Sequence, residues 1–134
     1  MENINTLESG FQIKSIILIE SSFNRIINVV FEEGIVNDLN IKTDIGVSEK
    51  VITVTEEVAV VQKLKGIEQV NIKVKMVGIF KCVGESSLTD FEEFGRVNGA
   101  AIIFPYIREH ITHLSLKGGI GAIILPPINF TNKK

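Results

Sequence analysis

Residues 70–83, VNIKVKMVGIFKCV, alternate with a period of two. Val70, Ile72, Val74, Met76, Phe80 and Cys82 fall on one face, and Asn71, Lys73 and Lys75 on the other. A helix cannot gather that set on one side, so the stretch must be a strand with one buried face. After Gly78 both faces are apolar. Residues 51–62 place Ile52, Val54, Val58 and Val60 on one face, and residues 35–45 alternate through Ile35, Leu39, Ile41 and Ile45. Residues 11–20 put Phe11, Ile13, Ile17 and Ile19 on one face with Ser15 among them. Their other face carries Gln12, Lys14, Ile16, Leu18 and Glu20. The links are short, with turn signals at 32–34 (EEG) and 63–66 (KLKG). Residues 26–31, IINVVF, are β-prone without alternating. Four main strands joined this way predict an antiparallel sheet with one face covered.

The second half changes period. ESSLTDFEEF, 85–94, reads as a short helix with Ser87 or Asp90 as N-cap and Glu93 at capping-box spacing from Asp90. Ala100, Phe104, Ile107, Ile111 and Leu114 then form one apolar helical stripe within 98–117, with Ile103 and Leu116 off it. Pro105 lacks a backbone donor, so the helix either starts near it or is kinked there. Gly118 and Gly119 fit a left-handed stop after Lys117. AIILPPINF, 122–130, must be extended, because paired prolines forbid both regular helix and a central strand position.

Length and composition bound the rest. A chain of 134 residues, 45% of them apolar, can bury one core, and 1–134 reads as a single domain with 1–10 flexible. A net charge of −2 argues against general binding to nucleic acid. The acidic start MENINTLESG has no signal-peptide character, and no apolar run approaches a membrane span. A single cysteine, Cys82, allows no intrachain disulfide. These features predict a cytoplasmic location without membrane insertion.

Chemical motifs are weak. Glu109, His110 and His113 form EHxxH, whereas the metalloprotease pattern needs HExxH with histidines four apart. The pair reads as solvated helix histidines, with no metal site. KGGIG, 117–121, follows a helix instead of opening one, so it reads as a cap and not as a phosphate loop. Cys82 at a strand end reads as a buried thiol. Ser86, Ser87, Asp90 and the histidines make a triad only on paper, since no GxSxG is present. No enzyme and no cofactor is expected. What remains is apolar surface: helix and tail carry more large side chains than one sheet face can cover. A groove for polypeptide between helix, tail and sheet would use them.

FPYIREHITHLSLKGG followed by LPPINF resembles the helix-and-tail signature of the SecB family of export chaperones. FQI at 11–13, SF at 22–23 and GIF at 78–80 match in order, so the resemblance runs from about residue 11 to residue 130. It implies an α+β fold, a four-stranded antiparallel sheet packed by a long helix and followed by a proline-containing extended segment. It also implies a homotetramer, a dimer of dimers, that holds unfolded polypeptide or preprotein clients without ATP. The groove positions it implies are Phe80, Phe104, Tyr106, Ile107, Ile111, Leu114, Leu125 and Phe130.

Two departures stand out. Family members continue beyond the Asn-Phe into a further helix and acidic tail, whereas this chain stops at TNKK. They also offer acidic groups on the sheet to the translocation motor ATPase, SecA. Glu20 matches one such position, but Asn71, Lys73 and Lys75 make the neighbouring strand neutral to basic. Both departures argue against motor docking. The alternative function is a dedicated SecB-like module for one partner, such as an antitoxin of a toxin–antitoxin system.

Overall fold

The computed structural model describes residues 10–83 and 88–131. Apart from Gly10, the stretch expected to be flexible lies outside the described residues, as does Ser87. The four predicted strands form and run longer than their alternation suggested: β1 (Phe11–Arg25), β2 (Ile35–Ser48), β3 (Val51–Leu64) and β4 (Ile67–Cys82). All pairs are antiparallel, in the order β1-β4-β3-β2. β2, β3 and β4 are a meander joined by two-residue turns. Lys65 and Gly66 have φ of 53° and 80°, the positive values that match a hairpin's natural twist.

β1 departs from its expected alternation. Its register against β4 shifts between Ile13 and Ser15 and again between Leu18 and Glu20. Each bulge inserts one residue, and one residue exchanges the two faces. Ile13 stands opposite Phe80, but Ile16 now stands opposite Gly78 and Leu18 opposite Met76. Ile16 and Leu18 therefore share the covered face with Phe80, while Ile17, opposite Val77, lies on the outer face. The expected grouping of Ile17 with Phe11 and Ile13 is corrected accordingly.

Residues 26–34 form no strand. They carry the chain from the β1 edge to the β2 edge and are pinned on the way. The amide of Gln69 donates from Nε2 to the carbonyl of Val30 (3.1 Å) and accepts from the Val30 N–H (2.8 Å). The Ile26 N–H also donates to the Gln69 carbonyl, at 3.0 Å.

The helical half is continuous. α1 (Leu88–Glu93) passes through a π-helical turn, Phe94–Gly99, into α2 (Ala100–Lys117). Asp90 lies inside α1, so it is no N-cap, and the Glu93 carboxylate accepts from Arg96 Nη2 instead (2.6 Å). Pro105 sits within α2, so the helix does not start there. Phe94 stacks on Phe11 at 4.1 Å and meets Phe80 edge-on at 5.3 Å, fastening the start of the long helix to the sheet. Gly78 lets α2 approach: a Cβ there would lie 2.7 Å from Ile103 Cδ1. Ile103, read as lying off the stripe, is fully buried, so the packed face of α2 is wider than the stripe. The core lies between this face and the alternating side chains of β3 and β4.

Candidate functional site

α2 ends where the glycines predicted. Gly119 takes φ of 74°, its N–H donates to the Leu116 carbonyl, and the Ile120 N–H donates to the Ser115 carbonyl. This pair of bonds is the Schellman arrangement, which KGGIG serves as a cap. The chain then turns back along α2. Ser115 Oγ accepts from the Ile123 N–H (2.8 Å), and Thr112 Oγ1 donates to the Ile123 carbonyl (2.7 Å). Further on, the ring of Phe130 meets that of Phe104 edge-on at 5.8 Å. Residues 121–129 carry neither helix nor strand. Ser115, fully buried, was missed by sequence reading; the signal was a small hydroxyl on an apolar helix shortly before its glycine stop.

Between this tail and the ends of β2 and β3 lies a cleft of about 560 Å³. Phe31 and Ile124 flank it, 59% and 68% exposed, and Leu39 and Val60 line it from the sheet. Gln62 also lines it, only 4% exposed, with no partner for Nε2. A second hollow, about 350 Å³, lies at Pro105, Tyr106 and Glu109 on the solvent side of α2.

The eight groove positions implied by the resemblance fall into two groups. Phe80, Phe104, Ile107, Ile111 and Leu125 are buried in the core of this chain. Leu114 and Phe130 are half-buried, and Tyr106 is 54% exposed. Leu125 lines the 560 Å³ cleft, Tyr106 the smaller hollow. Glu20 lies on the outer sheet face, 3.8 Å from both Lys73 and Lys75, and Lys75 is also 3.8 Å from Glu57. The carboxylate is thus balanced by lysines on the adjacent strand.

The histidines do not converge. His110 Nε2 lies 2.9 Å from Ser21 Oγ on β1, so this ring joins helix to sheet and is not simply solvated. His113 Nδ1 lies 3.4 Å from Glu109 on the helix surface. Among the described residues no three His, Cys, Asp or Glu are grouped to hold a metal. Cys82 is buried, and Ser86 and Ser87 lie outside the described residues. No described helix is long and apolar enough to cross a membrane.

One titratable group was overlooked. Glu56 falls in the same alternation as Ile52, Val54, Val58 and Val60, and its side chain is fully buried. Neither carboxyl oxygen has a hydrogen-bond partner, and desolvation by burial pushes its pKa from 4.5 up to about 8. It therefore sits in the core mostly as a neutral acid at pH 7.

Residues 6–132 match the family model described as preprotein translocase subunit SecB. The chain belongs to the SecB family. An uncharacterized protein of Methanocaldococcus jannaschii is 33% identical over 102 residues, covering 73% of this chain and 65% of that protein. The protein-export protein SecB of a Marinomonas species is 36% identical over 87 residues, 63% of this chain and 52% of that one. The chain thus spans between about half and just under two thirds of the length of these two curated relatives. Among solved structures, a Mycobacterium tuberculosis SecB-like chaperone in complex with a ChAD peptide from an antitoxin has the same fold. The TM-score is 0.80 at 14% identity, over 90% of this chain and 92% of that one. The four-stranded antiparallel sheet with one long helix is thus the SecB-like fold.

Proposed function

We propose that this SecB-family chain is an ATP-independent holdase, without catalytic activity, that binds unfolded polypeptides in apolar clefts. The observation that carries this reading is the 560 Å³ cleft flanked by exposed Phe31 and Ile124. Large apolar side chains left open to water are a standing cost unless a partner covers them. The chain would act as a cytoplasmic homotetramer on unfolded or preprotein clients, with Tyr106 and Phe130 as further contact points. On the outer face Lys73 and Lys75 balance Glu20, which argues against docking to the translocation motor.

A second reading has its own support: the structural neighbour from Mycobacterium tuberculosis holds an antitoxin peptide. A dedicated module would use the same cleft for one partner. Aggregation assays on several unrelated unfolded proteins separate the two. A holdase suppresses aggregation of most of them at near-stoichiometric concentration, whereas a dedicated module protects one and ignores the others.

The contact points are tested by two variants. Tyr106 is exposed, so Tyr106→Ala should weaken binding of many clients by about one to two decades, the worth of roughly 1.5–3 kcal/mol of aromatic burial, and leave the melting temperature unchanged. Phe130 also packs on Phe104, so Phe130→Ala should lower both affinity and melting temperature. Unchanged affinities in both variants would remove them from the client surface.

A further inference from the structure

We propose that Gln62 is a main-chain clamp: its buried amide binds the backbone of an extended apolar polypeptide lying in the cleft between the tail and the ends of β2 and β3. The inference rests on the reading of that cleft as a polypeptide site, and adds what the site grips.

Gln62 lines the cleft but is almost wholly buried, and its Nε2 has no hydrogen-bond partner. A buried donor without a partner costs more than a hydrogen bond gains, so the position is expensive in the free protein. Leu64 and Val60 flank it on the same face, and either would fill such a position without penalty. The residue directly opposite on β2 is Asn37, which lines the same cleft, so two amides stand side by side there.

The lining argues against charged ligands. None of its residues is charged, so nothing there would neutralise a phosphate or a carboxylate. A purely apolar ligand would leave Nε2 as it is. A polypeptide main chain offers the carbonyl that Gln62 Nε2 lacks, with an N–H beside it at every residue, while its apolar side chains meet Phe31, Val60 and Ile124. Whichever way the Gln62 amide is turned, a main chain supplies the complementary group.

The same sheet already contains such a clamp. Gln69 on β4 holds both the N–H and the carbonyl of Val30 with one side-chain amide, and so fastens a segment that belongs to no strand. Gln62 would do to a bound chain what Gln69 does to residues 26–34. A grip on main chain is blind to sequence, which suits a protein that must hold many clients.

The test is fluorescence anisotropy with three unrelated, labelled, unstructured peptides rich in Ile, Leu and Phe. Gln62→Leu keeps the volume and removes the amide. It should weaken all three by about five- to tenfold while the melting temperature stays or rises, because an unpartnered group has been removed. Replacing the peptide's backbone amides one at a time by esters should find a position that weakens binding to the natural protein and not to Gln62→Leu. Ile124→Asp, at an exposed site, charges the cleft without touching the clamp. If Ile124→Asp weakens binding and Gln62→Leu does not, the clamp is wrong and the cleft stands. If neither variant changes affinity, the peptides bind elsewhere and both are wrong. If the natural protein binds no peptide, the holdase reading falls and the clamp with it.

Discussion

At the scale of single residues, Glu56 is the side chain most at odds with its surroundings. Its cross-strand partners, Thr43 and Met76, carry no charge to offset it. Burial raises its pKa in the folded chain to about 8, whereas the unfolded chain releases that proton near 4.5. Below pH 4.5 both states are protonated and the group is neutral to stability. As pH rises from there through about 8, the unfolded state gains by ionising first, so folding loses stability, on the order of 5 kcal/mol in all. The melting temperature of the natural protein should therefore fall between pH 5 and pH 9, and Glu56→Leu should flatten that slope and melt higher at pH 8. A slope unchanged in the variant would place the titration elsewhere. Glu56 was legible in the sequence: it interrupts a run of in-facing Ile and Val by two-residue spacing. Apolar periodicity selects the Ile and Val members and passes over the acid between them. Ser115 was harder to see, because its importance comes from a chain segment eight residues away. Ser115→Ala strands the buried Ile123 N–H, and should cost about 1–3 kcal/mol in urea denaturation.

At the scale of elements, period alone located all four strands and the long helix, because burying one face imposes that period. It failed in β1, where two bulges exchange the faces. A bulge is one unpaired residue and leaves no mark in composition, so no count of apolar positions could reveal it. Pro105 left two readings open, and neighbouring turns of α2 carry the chain through it. The glycine stop was legible, but its two glycines serve different ends. Gly119 supplies a positive φ, so Gly119→Ala should cost about 1 kcal/mol. Gly118 has an ordinary φ of −78°, yet a Cβ there would fall 2.1 Å from the Phe23 ring. Gly118→Ala should therefore cost more, about 1–3 kcal/mol, and should change the environment of Phe23 in aromatic NMR spectra. Equal costs for the two variants would contradict this division.

At the scale of the whole molecule, the site was legible only as a quantity of apolar surface. Core and groove draw on the same residue types, so the sequence could not say that Phe80 and Ile107 are buried between helix and sheet while Tyr106 faces outward. Gln62 gave no signal because most of its neighbours in the cleft come from residues 31–39 and 120–126, far from it in the chain. The edge of the sheet makes a further demand. Ile17, Leu18 and Ile19 on β1 are exposed in the isolated chain. Apolar side chains left exposed on both faces of an edge strand favour association, and we expect a tetramer by light scattering at micromolar concentration. A stable monomer under those conditions would contradict it. The strand order also carries a consequence in time. β2, β3 and β4 close through two-residue turns as soon as each is made, but β1, synthesised first, pairs only with β4, and Phe11 waits for Cys82. At about 5–20 residues per second, a ribosome leaves β1 without its partner for several seconds. A chain whose work we place in guarding unfinished polypeptides is thus itself, while being made, a polypeptide with an apolar strand unguarded.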